Sequence, residues 1–230
     1  MKTTALIVAA GPGRRMGSAM AKAFLDLGGQ PLFEHSLAAF QSHEDTDAII
    51  LIVPAAMLER ARATARRYPK VEAVVPGGKR RQDSVRAGLD RIGDAGGEND
   101  LVLVHDAARP FVPARVIVEV LRAADRTGAA VPATVPSDTI REIAPQARAG
   151  GPQLAGKTLD RRRLVQVQTP QGFRLALLRR AFELAGGMEV TDDAALVEAI
   201  GSPVELVDGS PRNFKITTPD DLRLAEACLR

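Results

Sequence analysis

Short apolar runs separated by longer helix-patterned stretches are the feature that most restricts how this chain can fold. The runs are Ala5–Ala9, Ala48–Val53, Val71–Val75, Leu101–His105, Ala129–Val135, Val165–Gln168 and Val204–Val207. They are nearly continuous in apolar residues rather than strictly alternating, as strands covered on both faces are. The helical stretches are Leu32–Phe40 after Pro31, Ala55–Arg67 after Pro54, Asp83–Ile92, Ala114–Arg126, Arg174–Leu184, Asp193–Ile200 and Asp220–Leu229. Thr218 followed by Pro219 is good start chemistry for the last of these. Such alternation predicts crossover units and an α/β, doubly wound, mostly parallel sheet. The 230 residues fit one domain spanning 1–230, with no internal repeat.

Composition removes several function classes. The single cysteine, Cys228, rules out an internal disulfide or a cysteine metal cluster. A net charge of only +3 argues against a polybasic nucleic-acid binder, and 3% aromatics with no Trp leave little for base stacking. The longest apolar stretch, Ala48–Leu58, contains Pro54 and is too short to span a bilayer. Ala5–Ala10 runs into Gly11-Pro-Gly-Arg-Arg rather than a cleavage site, so it reads as a buried first strand and not a signal peptide. A cytoplasmic location without nucleic-acid or membrane partners is expected.

Residues 136–163 break the rhythm. They have no helical period, a Gly/Pro-rich centre and short flanks able to pair as a hairpin arm would. An irregular insertion of this length in a compact domain is usually functional or disordered, and a functional, protruding arm is expected.

The strongest local signal follows the first strand: Val8-Ala9-Ala10-Gly11-Pro-Gly13-Arg14-Arg15-Met-Gly17. Closely spaced glycines let backbone amides approach an anion, and the position past a strand's carboxyl end is where open α/β sheets bind ligands. A dinucleotide fingerprint would match the glycines alone. Against it stand the paired arginines and a second strand ending Ile52-Val53-Pro54, which offers no acid for a ribose diol. Lys22 adds a further cation, and the set suits a triphosphate. A solvated glycine turn is the bland alternative. The chain uses only six lysines, and two are conspicuous: Lys22 after the loop, and Lys215 in Asn213-Phe-Lys-Ile, taken as a strand end before the last helix. A compact ammonium reaches a single phosphate oxygen where a planar guanidinium does not fit.

Ala9–Met16, Gly77-Gly78 with Asp83-Ser84, His105-Asp-Ala-Ala-Arg109-Pro, Asp138-Thr139, Asp160-Arg161, Gln168-Thr-Pro-Gln171, Thr191-Asp192 and Asn213-x-Lys215 occur in one order. The ordered set resembles the 2-C-methyl-D-erythritol 4-phosphate cytidylyltransferases of the non-mevalonate isoprenoid pathway, which have a Rossmann-like nucleotidyltransferase fold. Departures are Ala21 and Ala23 flanking Lys22, and Lys79 where an acidic or small residue is frequent. The resemblance implies cytidylyl transfer from CTP to a polyol phosphate, with Mg2+ carried mainly by the CTP phosphates. It makes Arg15, Lys22 and Lys215 the catalytic cations and places Ala9, Ala10, Gly11, Gly13, Gly78 and Ser84 at the nucleotide. Asp106, Arg109, Thr139, Arg161 and Thr191 would receive the acceptor. Such transfer asks for cations and backbone amides rather than a general base, because the attacking phosphate is already ionised.

Plainer roles stay open for some of these residues. Asp83 or Ser84 can simply cap the next helix. Asp106 and Arg109, three apart, can pair with each other. Arg162 or Arg163 can stand in for Arg161. None of His35, His43 and His105 has metal-ligand spacing, and no metal-binding side chain is assigned. A homodimer is expected, the arm crossing to carry Arg161 into the partner's site, since exposed hairpin flanks seek pairing. The rivals are a cytidylyltransferase for another polyol phosphate such as ribitol 5-phosphate, a nicotinamide-dependent oxidoreductase, and a non-catalytic nucleotide sensor.

Overall fold

The computed structural model describes residues 1–11, 21–93, 96–145, 152–185 and 187–229. In chain order the strands are β1 (Thr3–Val8), β2 (Asp26–Leu27), β3 (Gln30–Pro31), β4 (Ala48–Val53), β5 (Val71–Pro76), β6 (Leu101–Asp106), β7 (Ala129–Thr134), β8 (Arg141–Ile143), β9 (Ala155–Thr158), β10 (Gln166–Val167), β11 (Gln171–Arg174) and β12 (Glu205–Asp208). The helices are α1 (Leu32–Ser42), α2 (Leu58–Ala65), α3 (Arg81–Ile92), α4 (Ala114–Thr127), α5 (Leu175–Ala185), α6 (Ala194–Ala199) and α7 (Pro219–Cys228).

The main sheet runs β10–β7–β11–β6–β1–β4–β5, and β12 also pairs with β7. β1 is parallel to β4 and β6, and β4 to β5, so these four strands end at one edge. β10 and β11 run antiparallel to their neighbours, which makes the sheet mixed although mostly parallel. β2 pairs with β3 and β8 with β9 as small separate ribbons.

The alternation of side chains along each strand feeds two cores. Ala5, Ile7, Ile49 and Leu51 face α1 and α4, meeting Phe33, Leu37, Phe40, Val116 and Val120. Leu6, Ile50, Ile52, Val102 and Val104 point the other way, toward Val85, Leu89, Leu178, Phe182 and Leu196 of α3, α5 and α6. Each fully buried Leu, Ile or Phe stabilises the layers by about 1.5–3 kcal/mol. A third, smaller cluster of Leu27, Leu32, Ile216 and Ala225 fastens α7 against the turn before α1. Thr218 caps α7 as expected, its hydroxyl accepting from Asp221 N at 3.2 Å, with Pro219 in the first turn.

Several expected boundaries move. The expected 174–184 helix is α5, shifted by one residue. It is preceded by β11, an unexpected strand with no apolar run, where a Cβ at Gly172 would lie 2.6 Å from Val120. The 55–67 helix divides into a 3-10 turn at Ala55–Met57 followed by α2. Lys215 lies in no strand. Its segment is held instead by Ile216 N donating to Ala108 O at 2.9 Å.

Candidate active site

At the edge where β1, β5 and β6 end, a cavity of about 170 Å³ is lined by Val8–Gly11, Lys22, Ala23, Gly78–Arg81, Ser84, Asp106, Ala108 and Lys215. Among the described residues, five cations (Lys22, Lys79, Arg80, Arg81 and Lys215) face one carboxylate, Asp106. Such a charge excess suits an anion. The wall opposite β1 depends on two glycines. A Cβ at Gly77 would meet that of Ala10 at 2.3 Å, and one at Gly78 would meet that of Asp83 at 2.2 Å. Only glycine lets the β5–α3 turn come this close. Ser84 braces the turn from below: its hydroxyl accepts from Gly78 N at 3.1 Å and donates to Arg80 O at 3.3 Å. Asp83 has the capping role, accepting from Arg80 N at 3.0 Å and from the Arg80 guanidinium.

Asp106 is the electrostatic hub. Its Oδ2 accepts from Lys215 Nζ at 2.6 Å and its Oδ1 from Arg81 Nε at 3.2 Å. Burial opposes its ionisation, but Arg81 and Lys215 outweigh that and hold the carboxyl well below the usual range. Arg81 also donates from Nη1 to the fully buried Asp193 at 2.6 Å. Lys22, on a 3-10 turn at Lys22–Phe24, donates to Ile216 O at 2.9 Å. Asp106 and Arg109 do not pair through their side chains, since the Arg109 guanidinium donates to Asn213 O at 2.7 Å.

A buried network fixes this edge. His105 has no exposure, and burial pushes its imidazole down to about 4. Thr169 Oγ1 accepts from Asp106 N at 3.1 Å, leaving its proton for His105 Nδ1 at 3.2 Å; His105 Nε2 then donates to Arg109 O at 3.1 Å. Asn213 Nδ2 donates to Thr169 O at 2.8 Å and to Gln168 Oε1 at 3.2 Å. Gln171 Oε1 accepts from the amides of Asp193 and Ala194, holding the start of α6.

A second cavity, about 490 Å³, adjoins the first at Lys215. It is lined by Arg109, Thr134, Val135, Ser137, Gln166–Gln168, Pro211 and Phe214 as well. Among the described residues, no three of His, Cys, Asp and Glu cluster as a metal site would require.

The family model for 2-C-methyl-D-erythritol 4-phosphate cytidylyltransferase matches residues 3–230. The chain belongs to this family. A relative of that name from Geobacillus kaustophilus is 44% identical over 233 residues, covering 100% of this chain and 97% of its own. The crystal structure of the cytidylyltransferase from Thermus thermophilus superposes with a TM-score of 0.79 at 40% identity, covering 100% of both chains. That of 4-diphosphocytidyl-2C-methyl-D-erythritol synthase from Anaerococcus prevotii gives 0.83 at 29% identity, covering 99% of this chain and 96% of the other. Membership makes the chain an enzyme of the nucleotidyltransferase class.

Within this cytidylyltransferase, the first cavity gathers Ala9, Ala10, Gly11, Lys22, Gly78, Ser84, Asp106 and Lys215 from five separate parts of the sequence. Arg109 lines the second cavity. Thr139, Arg161 and Thr191 are exposed and line neither; Arg161 donates to Ser137 O. Gly13 and Arg15 lie outside the described residues. Arg81 and Asp193 were missed as partners of the site. Arg81 is hidden in a run of three cations, Lys79-Arg80-Arg81, and Asp193 in an acidic pair with Asp192. No helix among the described residues is long and apolar enough to cross a membrane.

Proposed function

We propose that the enzyme transfers a cytidylyl group from CTP to 2-C-methyl-D-erythritol 4-phosphate, releasing pyrophosphate. The family supports this reading, and one observation carries it at the site: Lys215 lines both cavities, so one cation sits between a donor and an acceptor. In the reaction an oxygen of the acceptor phosphate attacks the α-phosphorus of CTP. The new phosphorus–oxygen bond forms as the bond to the β-phosphate oxygen breaks, and pyrophosphate leaves. The acceptor phosphate is ionised near neutral pH, so no base is required, in keeping with a site whose one buried histidine is neutral.

Lys22, Arg15 and Lys215 stabilise the charge that grows on the α-phosphate and leaving group. Cytosine rests against Ala9, Ala10 and the Gly77-Gly78 turn, with Ser84 beneath. CTP enters as its magnesium complex. The donor set suits that arrangement, because Asp106 already has a cation on each oxygen and offers little to a protein-held ion. The acceptor occupies the second cavity beside Arg109. Thr191 and the arm residues Thr139 and Arg161 reach it in a homodimer, where Arg161 comes from the neighbouring subunit. Five exposed apolar residues on and beside the arm, Val135, Ile143, Leu154, Val165 and Val167, support a partner surface there.

The experiment is pyrophosphate release by purified enzyme with CTP, magnesium and the acceptor, against controls lacking each and against ribitol 5-phosphate. Release only in the complete mixture is expected. Preference for ribitol 5-phosphate, or release without any acceptor, would overturn the reading.

A further inference from the structure

Asp193 is fully buried and has one side-chain partner among the described residues, Arg81; burial pushes its carboxyl up, and the Arg81 charge opposes that only in part. Both residues also leave a buried polar atom without a hydrogen-bond partner among the described residues: Asp193 Oδ1 and Arg81 Nη2. A buried ion pair with unsatisfied atoms is a poor stabilising device, because the desolvation of both groups is only partly recovered. Its geometry has another use. The Arg81 guanidinium spans two carboxylates, with Nη1 on Asp193 and Nε on Asp106. The other oxygen of Asp106 holds Lys215.

We propose that Arg81 and Asp193 are positioning residues that act through Asp106 to aim Lys215 at the reacting phosphates. This rests on reading the first cavity as the site of cytidylyl transfer. The chain of constraint begins at Gln171, whose side-chain oxygen accepts from the amides of Asp193 and Ala194 at 3.1 and 3.2 Å. Asp193, so fixed, sets the plane of the Arg81 guanidinium. That guanidinium then occupies one oxygen of Asp106 and leaves the other for Lys215. Lys215 needs such guidance, since its segment belongs to no strand of the sheet. Sharing Asp106 between two cations has a second consequence. The carboxylate cannot cancel the Lys215 charge completely, so part of it stays available to the phosphates. A lysine at position 81 would not reproduce this, because an ammonium lacks the rigid fork that engages both carboxylates in one plane.

The test is a double-mutant cycle in pyrophosphate release. Arg81→Lys is expected to lower kcat about tenfold or more while KM for CTP moves less than about threefold, the split of a group that acts on the transition state. Asp193→Asn, which keeps the volume and an acceptor, is expected to shift kcat in the same direction. In an Asp106→Asn background, Arg81→Lys should add no more than about a twofold loss, because the residue through which it works is already gone. Losses that multiply across the cycle would show Arg81 acting on the nucleotide directly and would overturn the inference. An unchanged kcat, or an effect confined to KM, would do the same. If neither single variant folds, judged by circular-dichroism melting, the pair is structural and the inference falls. A wild-type enzyme without turnover would instead overturn the cytidylyl-transfer reading on which the inference stands.

Discussion

The Lys22 ammonium donates to the main-chain oxygen of Ile216 at 2.9 Å, so it touches the residue next to Lys215 from the far end of the sequence. Ile216 is itself immobilised: its side chain is buried against Leu27 and Ala225, and its amide is tied to Ala108. The two lysines that stand out in an arginine-rich chain therefore lie on separate segments joined through Ile216, and both line the first cavity.

From that arrangement, Lys22→Ala and Lys215→Ala should each lower kcat by about 10²–10³-fold, the effect typical of losing one donor to a developing oxyanion. KM for CTP should change much less. Lys70→Ala is the control, because the Lys70 ammonium donates to His43 O and lines neither cavity. Steady-state kinetics decide it, and a variant that raises only KM is a binding residue alone.

CTP should be used far better than UTP. The cytosine amino group needs an acceptor, and in the proposed site the main chain of the Gly77-Gly78 turn would supply it, a turn that packs against Ala10 and Asp83 only because neither residue has a Cβ. UTP presents a carbonyl there and leaves a buried acceptor unpaired, at a cost of about 1–3 kcal/mol. That corresponds to roughly 5–150-fold in kcat/KM. Comparable turnover of the two nucleotides in a competition assay would contradict this placement of the base.

The sheet was legible because buried parallel strands announce themselves as apolar runs, and the glycine wall of the first cavity because glycines mark close approach. β11 was not legible, since its buried positions are Gln171, Gly172 (required by Val120) and Phe173, which leaves one large apolar residue and no run for a hydrophobicity pattern to find. The cationic lysines stood out by rarity, whereas Arg81 was lost among neighbouring cations of the same charge. Gln168, Thr169, Gln171 and Asn213 were visible as motif residues, but their tasks were not. Hydrogen bonds such as Asn213 to Thr169 join residues 44 apart and exist only once the sheet has brought the ends of β6 and β11 together.

His105 makes the protein sensitive to mild acid. Its imidazole titrates at about 4 when buried, against 6.5 ordinarily. Between these values the unfolded chain binds a proton that the folded one does not, so stability rises with pH through that window. The contribution is complete above about pH 6.5 and lost as pH falls toward 4. Its ceiling is on the order of 3 kcal/mol. Urea melts of wild type and His105→Gln at pH 4.5 to 7 should show a steeper fall in wild type. Parallel curves would contradict the buried neutral assignment.

The arm prediction concerns assembly. Lys22→Ala and Arg161→Ala should each be nearly inactive as homodimers, yet recover activity when their subunits exchange. Arg161 is exposed, and its guanidinium donates to Ser137 O at the rim of the second cavity, yet it lines neither cavity of its own chain. Working across a two-fold interface, it would join a site whose Lys22 belongs to the other subunit. In a heterodimer of the two variants, one site then carries both lesions and the other carries neither. Activity per heterodimer should reach about half that of the wild-type dimer, a consequence of the two-fold symmetry. If Arg161 served the site of its own chain, every site would keep one lesion and mixing would restore nothing. Heterodimer formation is verified by purification on two different affinity tags, and a verified heterodimer without recovered turnover would refute the shared site.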